Sequence, residues 1–191
     1  KTRQHRPPSP SRLGPDAGPL VDARGGICQT ARVTDPRPVH IVVLGAGFGG
    51  LTFCQSFSHP TARVTLVDRT NHHLFQPLLY QVATAGLAAP EIAQPIRSIL
   101  ARQPNVSVLL DRVLDFDLPG RRVRLEQQTL DYDYLVVALG GGTSYFGHPE
   151  WEAFAPGLKT LSDALRIRHD VLLALEQAET ERDPAVQARL M

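Results

Sequence analysis

Gly45, Gly47 and Gly50 follow at two- and three-residue spacing directly after the short run His40-Ile-Val-Val-Leu44. Each lacks the side chain that would block a different approach. Gly45 permits a tight turn, Gly47 lets backbone amides come up to a pyrophosphate, and Gly50 lets the next helix pack close to a sheet. Phe48 and Gly49 lead into that helix, whose first N–H groups and partial positive charge face the phosphates. Asp68 stands 18 residues beyond Gly50, after a second apolar run, Val64-Thr-Leu-Val67. A carboxylate there can accept hydrogen bonds from ribose hydroxyls. Glycine spacing alone is a weak signal. Here the strand before it, the apolar helix positions Leu51, Cys54 and Phe57 after it, and the acid at the right distance all agree. The acid favours a ribose 2′-hydroxyl over a 2′-phosphate and does not separate FAD from NAD.

Such groups need a parallel sheet to carry them, and the remaining pattern supplies one. Val106-Ser-Val-Leu-Leu110 reads as a third parallel strand, and Tyr134-Leu-Val-Val-Ala138 as a buried one followed by Gly140-Gly-Gly142. Between them, Val113 to Phe116 and Arg122 to Leu125 form an antiparallel excursion around Pro119-Gly120. Arg121, Arg122 and Arg124 beside that turn read as solvent-facing. A turn is expected near Pro90, and a helix with Pro95 at its first position burying Ile96, Ile99 and Leu100. Thr160-x-x-Asp163 has capping-box spacing and opens a helix ending before Asp183-Pro184. Leu161, Leu165, Val171, Leu172, Leu175 and Ala178 fall on its apolar side, and Arg166, Arg168, Glu176, Glu179 and Arg182 on a solvated one. The fold class is α/β: a Rossmann-like domain of three layers, with a mostly parallel sheet, a small antiparallel excursion and an incomplete end.

The 191 residues, 42% apolar with a net charge of +1, suit one ordinary globular domain and give no reason to invoke nucleic acid. No apolar run approaches the ~18 residues of a membrane span. Cys28 and Cys54 lie in unrelated contexts and suggest a reducing compartment without a disulfide framework. Residues 1–38 hold seven of the sixteen prolines and almost no periodic apolar pattern, so they read as a disordered leader. An upstream extension of the reading frame explains that leader better than a transit peptide. Residues 39–159 read as the nucleotide-binding segment, 160–183 as a helix leading to a further domain, and 184–191 as a truncated tail.

The run Asn71-His-His-Leu-Phe-Gln-Pro-Leu-Leu-Tyr-Gln-Val-Ala-Thr-Ala85 is narrower than the glycine motif. With Pro95-Ile-Arg97, Tyr132 to Gly140, Tyr145-Phe-Gly147 and Pro156 to Thr160, it resembles the N-terminal part of the type II NADH:quinone oxidoreductases. These are single-subunit flavoenzymes of the two-dinucleotide-binding-domain superfamily. The resemblance runs from about His40 to Asp183. It implies an FAD cofactor, NADH and a membrane quinone as partners in the full-length protein, peripheral attachment to the inner face of the cell membrane from the cytoplasm, and compatibility with a homodimer.

By that resemblance Gly45, Gly47, Phe48, Gly49 and Gly50 hold the FAD pyrophosphate, and Asp68 and Arg69 lie at the adenosine ribose. Val113 bonds the adenine through its backbone, Ala138 and Gly140 close over the pyrophosphate, and Gln76 approaches the flavin ring. Two departures stand out: Leu139 occupies a place where many superfamily members carry threonine, and Phe53-Cys54 replaces small alanines on the first helix. His72 and His73 suggest structural hydrogen bonding near the cofactor rather than a metal site. Phe75, Tyr80, Tyr145, Phe146 and Trp151 serve mainly in packing, or line a quinone path. The family's NADH-binding domain and quinone pocket lie further along, so this chain alone is expected to have no turnover. Two other readings stay open: a non-enzymatic remnant that binds an adenine dinucleotide, and another flavin-dependent reductase of the pyridine nucleotide-disulfide type, such as a sulfide:quinone or ferredoxin reductase.

Overall fold

The structure, a computed structural model, describes residues 37–191; the expected leader, apart from Arg37 and Pro38, and Cys28 lie outside them. The chain opens with β1 (Val39–Leu44), α1 (Phe48–Ser56) and β2 (Ala62–Asp68). A strap follows, made of β3 (His72–Leu74), a 3₁₀ turn, α2 (Leu79–Ala83), α3 (Ala89–Ile92), β4 (Ala93–Pro95) and α4 (Ile96–Ile99). The chain then returns through β5 (Val106–Leu110), β6 (Val113–Asp117), β7 (Arg122–Leu125), β8 (Thr129–Asp131) and β9 (Tyr134–Val137). It finishes with α5 (Leu161–Thr180) and α6 (Pro184–Leu190).

Four strands pair in parallel in the order β5-β2-β1-β9. Successive strand residues point to opposite faces, and both faces of this sheet are covered, so its central strands bury consecutive apolar residues, Ile41 to Leu44 in β1 and Leu66 and Val67 in β2. On one face Ile41, Val43, Val64 and Leu66 pack with Leu51 and Cys54 of α1 and with Ile96 and Leu100 beside α4. On the other, Val42, Leu44 and Val67 meet Val123, Leu125 and Tyr132 from the antiparallel sheet β6-β7-β8. The three layers are therefore helix, parallel sheet and antiparallel sheet. Val43, Leu44 and Leu66 are fully buried, and each such side chain contributes about 1.5–3 kcal/mol.

Several expectations change. Pro95 ends β4 and caps α4 instead of standing at the first helical position, and α4 is a single turn. The reason is non-local: residues 93–95 are drawn into pairing with His72–Leu74, which the local sequence does not announce. The turn expected at Pro90 is the helical turn α3. The antiparallel excursion has a third strand, β8, paired with β7, and residues 184–190 form α6 where a tail was expected. The apolar side of α5 is largely exposed. Leu161, Ala164 and Ile167 pack on Leu79, Val82 and Ala83 of α2, whereas Leu165, Val171, Leu172 and Leu175 remain about half exposed. Arg168, placed by the pattern on the solvated side, donates to the Leu87 carbonyl at 3.1 Å.

The arginines of the excursion do face solvent. Arg122 pairs with Asp117 at 2.9 Å, and Arg124 reaches Asp115 at 3.9 Å. The Gly120 amide, followed by the Arg122 guanidinium, holds the exposed Asp117 carboxyl below its ordinary range.

Candidate functional site

The carboxyl ends of β1, β2 and β9 come together around the glycine loop. Gly45 has φ +96°, a left-handed conformation that a side chain resists. A Cβ there would also run into the Ala138 carbonyl. A Cβ on Gly50 would overlap the Gly45 carbonyl oxygen and come within 3.3 Å of Val43 Cγ1. Gly47 differs from both. It has ordinary extended geometry as the cap residue of α1, and nothing stands within 4 Å of the place its Cβ would occupy. Two glycines are thus required by the protein's own packing, while the third faces open space at a helix start whose first N–H groups have no intrahelical partner. That cradle fits a pyrophosphate.

The loop is held by side chains on both sides of Ala46. The Ala46 amide donates to Asp68 Oδ2 at 2.6 Å, and the Ala46 carbonyl accepts from His73 Nδ1 at 2.9 Å. Asp68 Oδ1 meanwhile accepts from the Thr70 amide at 2.7 Å and the Thr70 hydroxyl at 2.8 Å. Asp68 therefore ties the loop after β1 to the loop after β2, in addition to any ribose contact. Phe48, at the start of α1, sets its ring edge-on to His73 (centroids 5.2 Å) and to Phe75 (5.5 Å).

The other expected residues distribute as follows. Ala138, bonded through its amide to the Leu44 carbonyl at 2.8 Å, backs the glycine loop and lies 3.7 Å from a Cβ built on Gly49. Gly140 takes φ +71° in open space. Arg69 is exposed at the end of β2. Val113 begins β6 and packs half-buried against the second core. Gln76 is exposed and donates to the Lys159 carbonyl at 3.3 Å, joining the strap to the segment before α5. Of the aromatics, Phe75 packs on Phe48, the Tyr145 hydroxyl donates to the Ala155 carbonyl at 2.8 Å, and Trp151 stacks on His148. Tyr80 and Phe146 are exposed, Phe146 by 86%. Among the described residues the His72 ring bonds only its neighbour Asn71, while its carbonyl accepts from the Thr70 hydroxyl at 3.2 Å.

The sequence reading passed over two residues. Thr70 completes the Asp68 clasp. Asp111 follows β5 as Asp68 follows β2, is buried, and donates its amide to the Asp68 carbonyl at 2.9 Å. Its Oδ1 accepts from the Arg112 amide, while Oδ2 has no partner among the described residues. An acid at a second strand end was the signal that could have found it. Cys54, a free cysteine on α1, is fully buried, and desolvation pushes its thiol up to about 11. The reactive form of cysteine is the thiolate, so this environment is inert.

The fold and the glycine cradle define a dinucleotide-binding α/β domain, and comparison with known proteins gives its family. Residues 39–177 match the pyridine nucleotide-disulphide oxidoreductase family, and the chain belongs to it. Among its relatives are two proteins of Mycobacterium tuberculosis. The type II NADH:quinone oxidoreductase Ndh is 47% identical over 82% of this chain and 35% of its own. The type II NADH:quinone oxidoreductase NdhA is 45% identical over 78% of this chain and 33% of its own. The structure of NDH2 from Plasmodium falciparum in complex with NADH superimposes with a TM-score of 0.72 at 26% identity, covering 79% of this chain and 32% of that one. These relatives bear out the resemblance carried by the Asn71–Ala85 run. The chain spans about a third of the length of the curated relatives it matches. No helix among the described residues is long and apolar enough to cross a membrane.

Proposed function

We propose that this chain is the FAD-cradling part of an NADH:quinone oxidoreductase. The observation that carries the reading is the loop from Gly45 to Gly50. Its packing demands glycine at Gly45 and Gly50, while at Gly47 it leaves open space in front of the start of α1, where a ligand's phosphates can approach closely. In this reading Gly47, Phe48, Gly49 and Gly50 present the start of α1 to the pyrophosphate, with Ala138 and Gly140 beside it. Asp68 and Arg69 serve the adenosine ribose, Val113 the adenine, and Gln76 the side of the flavin ring. FAD held by these residues would supply the redox chemistry, a hydride acceptor for NADH and a two-electron donor for a quinone. Residues of this chain bind and orient it, and the inert Cys54 leaves no thiol chemistry to the described residues.

Catalysis needs nicotinamide and flavin stacked within hydride-transfer distance. One cradle holds one dinucleotide, so the described residues supply the flavin side of the reaction and NADH is held by other parts of the enzyme. Quinone reduction at a membrane surface likewise calls on peripheral contacts outside the described residues. The test is a titration of the folded 191-residue chain with FAD, followed by flavin fluorescence and near-ultraviolet dichroism. Saturable one-to-one binding is expected; a folded chain that leaves FAD free would overturn the reading. A second measurement addresses turnover. The chain by itself should not oxidise NADH with a soluble quinone, and rates typical of an intact enzyme would show that a second cradle is unnecessary.

A further inference from the structure

The peptide between Ala46 and Gly47 carries one of the N–H groups that a pyrophosphate would meet, and its orientation is set from behind. A peptide unit is planar and trans, so its C=O and N–H point in opposite directions. Fixing one fixes the other. The Ala46 carbonyl is fixed by His73 Nδ1 at 2.9 Å, and the preceding peptide is fixed by Asp68 through the Ala46 amide at 2.6 Å. The Gly47 N–H itself has no partner among the described residues, and the space in front of Gly47 is open.

We infer that His73 is a positioning residue of the dinucleotide site, which aims the Gly47 N–H at the ligand by holding the Ala46 carbonyl from the opposite side. This rests on the FAD reading above and adds a residue to it. A carbonyl can only accept, so the ring must carry its hydrogen on Nδ1. The ring is held in turn by its edge contact with Phe48, which packs on Phe75 as well. β3, paired with β4, sets the backbone from which His73 reaches over. The strap thus has a role at the phosphate end of the site, far along the chain from the glycine motif. The clamp also resolves the His72-His73 pair, because only His73 reaches the loop.

Two variants of the full 191-residue chain separate donor from ring. His73→Phe keeps an aromatic ring against Phe48 and removes the donor. His73→Asn keeps an N–H at the position of Nδ1 and removes the ring. With FAD affinity read by fluorescence titration, His73→Phe should weaken binding about tenfold, the weight of the hydrogen bond to phosphate that a misdirected Gly47 N–H forfeits. His73→Asn should stay within about threefold of the parent. Amide exchange on the ligand-free chain adds a readout that does not involve the cofactor: the Ala46 amide, buried and bonded to Asp68, should exchange faster in His73→Phe than in the parent, because its residue loses the hold on its carbonyl. His73→Met, equally donor-free but flexible, replaces the phenylalanine variant if that chain does not fold. Unchanged FAD affinity in the donor-free variant, or equal weakening in both variants, overturns the inference and leaves the FAD reading standing. A parent that binds no FAD removes both.

Discussion

Gly47 and Gly50 occupy the same motif, yet the structure assigns them opposite sensitivities. In Gly50→Ala the new Cβ would overlap the Gly45 carbonyl oxygen and crowd Val43 Cγ1 at 3.3 Å. The obstacle is backbone, so no rotamer change relieves it and the loop must move. Overpacking of this kind costs about 1–3 kcal/mol, offset by the roughly 1 kcal/mol that alanine gains over glycine inside a helix. A net loss of about 0–2 kcal/mol is expected, towards the upper end because the obstacle is backbone. In Gly47→Ala the Cβ enters empty space, and φ −69° with ψ −166° is open to alanine. Reduced unfolded-state freedom gives back about 0.4–1 kcal/mol, while alanine is the poorer helix cap by a similar amount. Stability should stay within about 0.5 kcal/mol of the parent. On the proposed reading the same methyl stands in the path of the pyrophosphate, and a clash of about 1–3 kcal/mol there would weaken FAD binding roughly five- to 150-fold. Urea midpoints and FAD titrations of both variants settle the matter. If Gly47→Ala unfolds as readily as Gly50→Ala, or binds FAD as the parent does, the open space at Gly47 is not the phosphate's.

Two further consequences concern stability and pH. Cys54 is an acid whose folded value, about 11, lies above its ordinary 9.0. Its burial therefore favours the fold below pH 9, and that contribution fades as pH rises towards 11, where the difference reaches about 2 kcal/mol. Urea melts should show Cys54→Ala lacking this part of the alkaline loss; identical alkaline slopes in parent and variant would refute it. The Asp163 carboxyl lies below its ordinary range: burial pushes it up, but the Lys159 and Thr160 amides, the Thr160 hydroxyl and the Arg166 charge outweigh that. It forms a capping box with Thr160 at 2.8 and 3.1 Å. Asp163→Ala should cost about 1 kcal/mol at neutral pH. The gap should close as pH falls through the lowered range of this carboxyl, because a protonated Asp163 no longer stabilises the folded state. Equal differences at pH 7 and at pH 3 would exclude the box as the source.

The sequence by itself determined the parallel sheet, the glycine loop and the capping box of α5. Each is written in contiguous residues whose periodicity or spacing has one physical solution. Ile41 to Leu44 and Leu66 to Val67 are consecutive buried apolar residues because both faces of their sheet are covered. Gly45 and Gly50 are glycines because backbone stands where their side chains would go. Thr160 and Asp163 cap α5 because three residues bring one side chain back to the other's amide.

Contacts between distant segments were decided only by the tertiary structure. β4 exists because Ala93–Pro95 finds β3, so Pro95, locally a fair helix starter, closes a strand instead. The apolar stripe of α5 is real in the sequence, but burial depends on what stands opposite, and only its first turns meet α2. Asp68 was legible as an acid at the end of the second strand, whereas its clasp on the Ala46 amide was not. His73 could not be told from His72 until the strap placed one imidazole, and not the other, behind Ala46. Spacing along a strand or helix is a local property of the chain; which side chain reaches a carbonyl 27 positions away depends on how the whole fold closes around it.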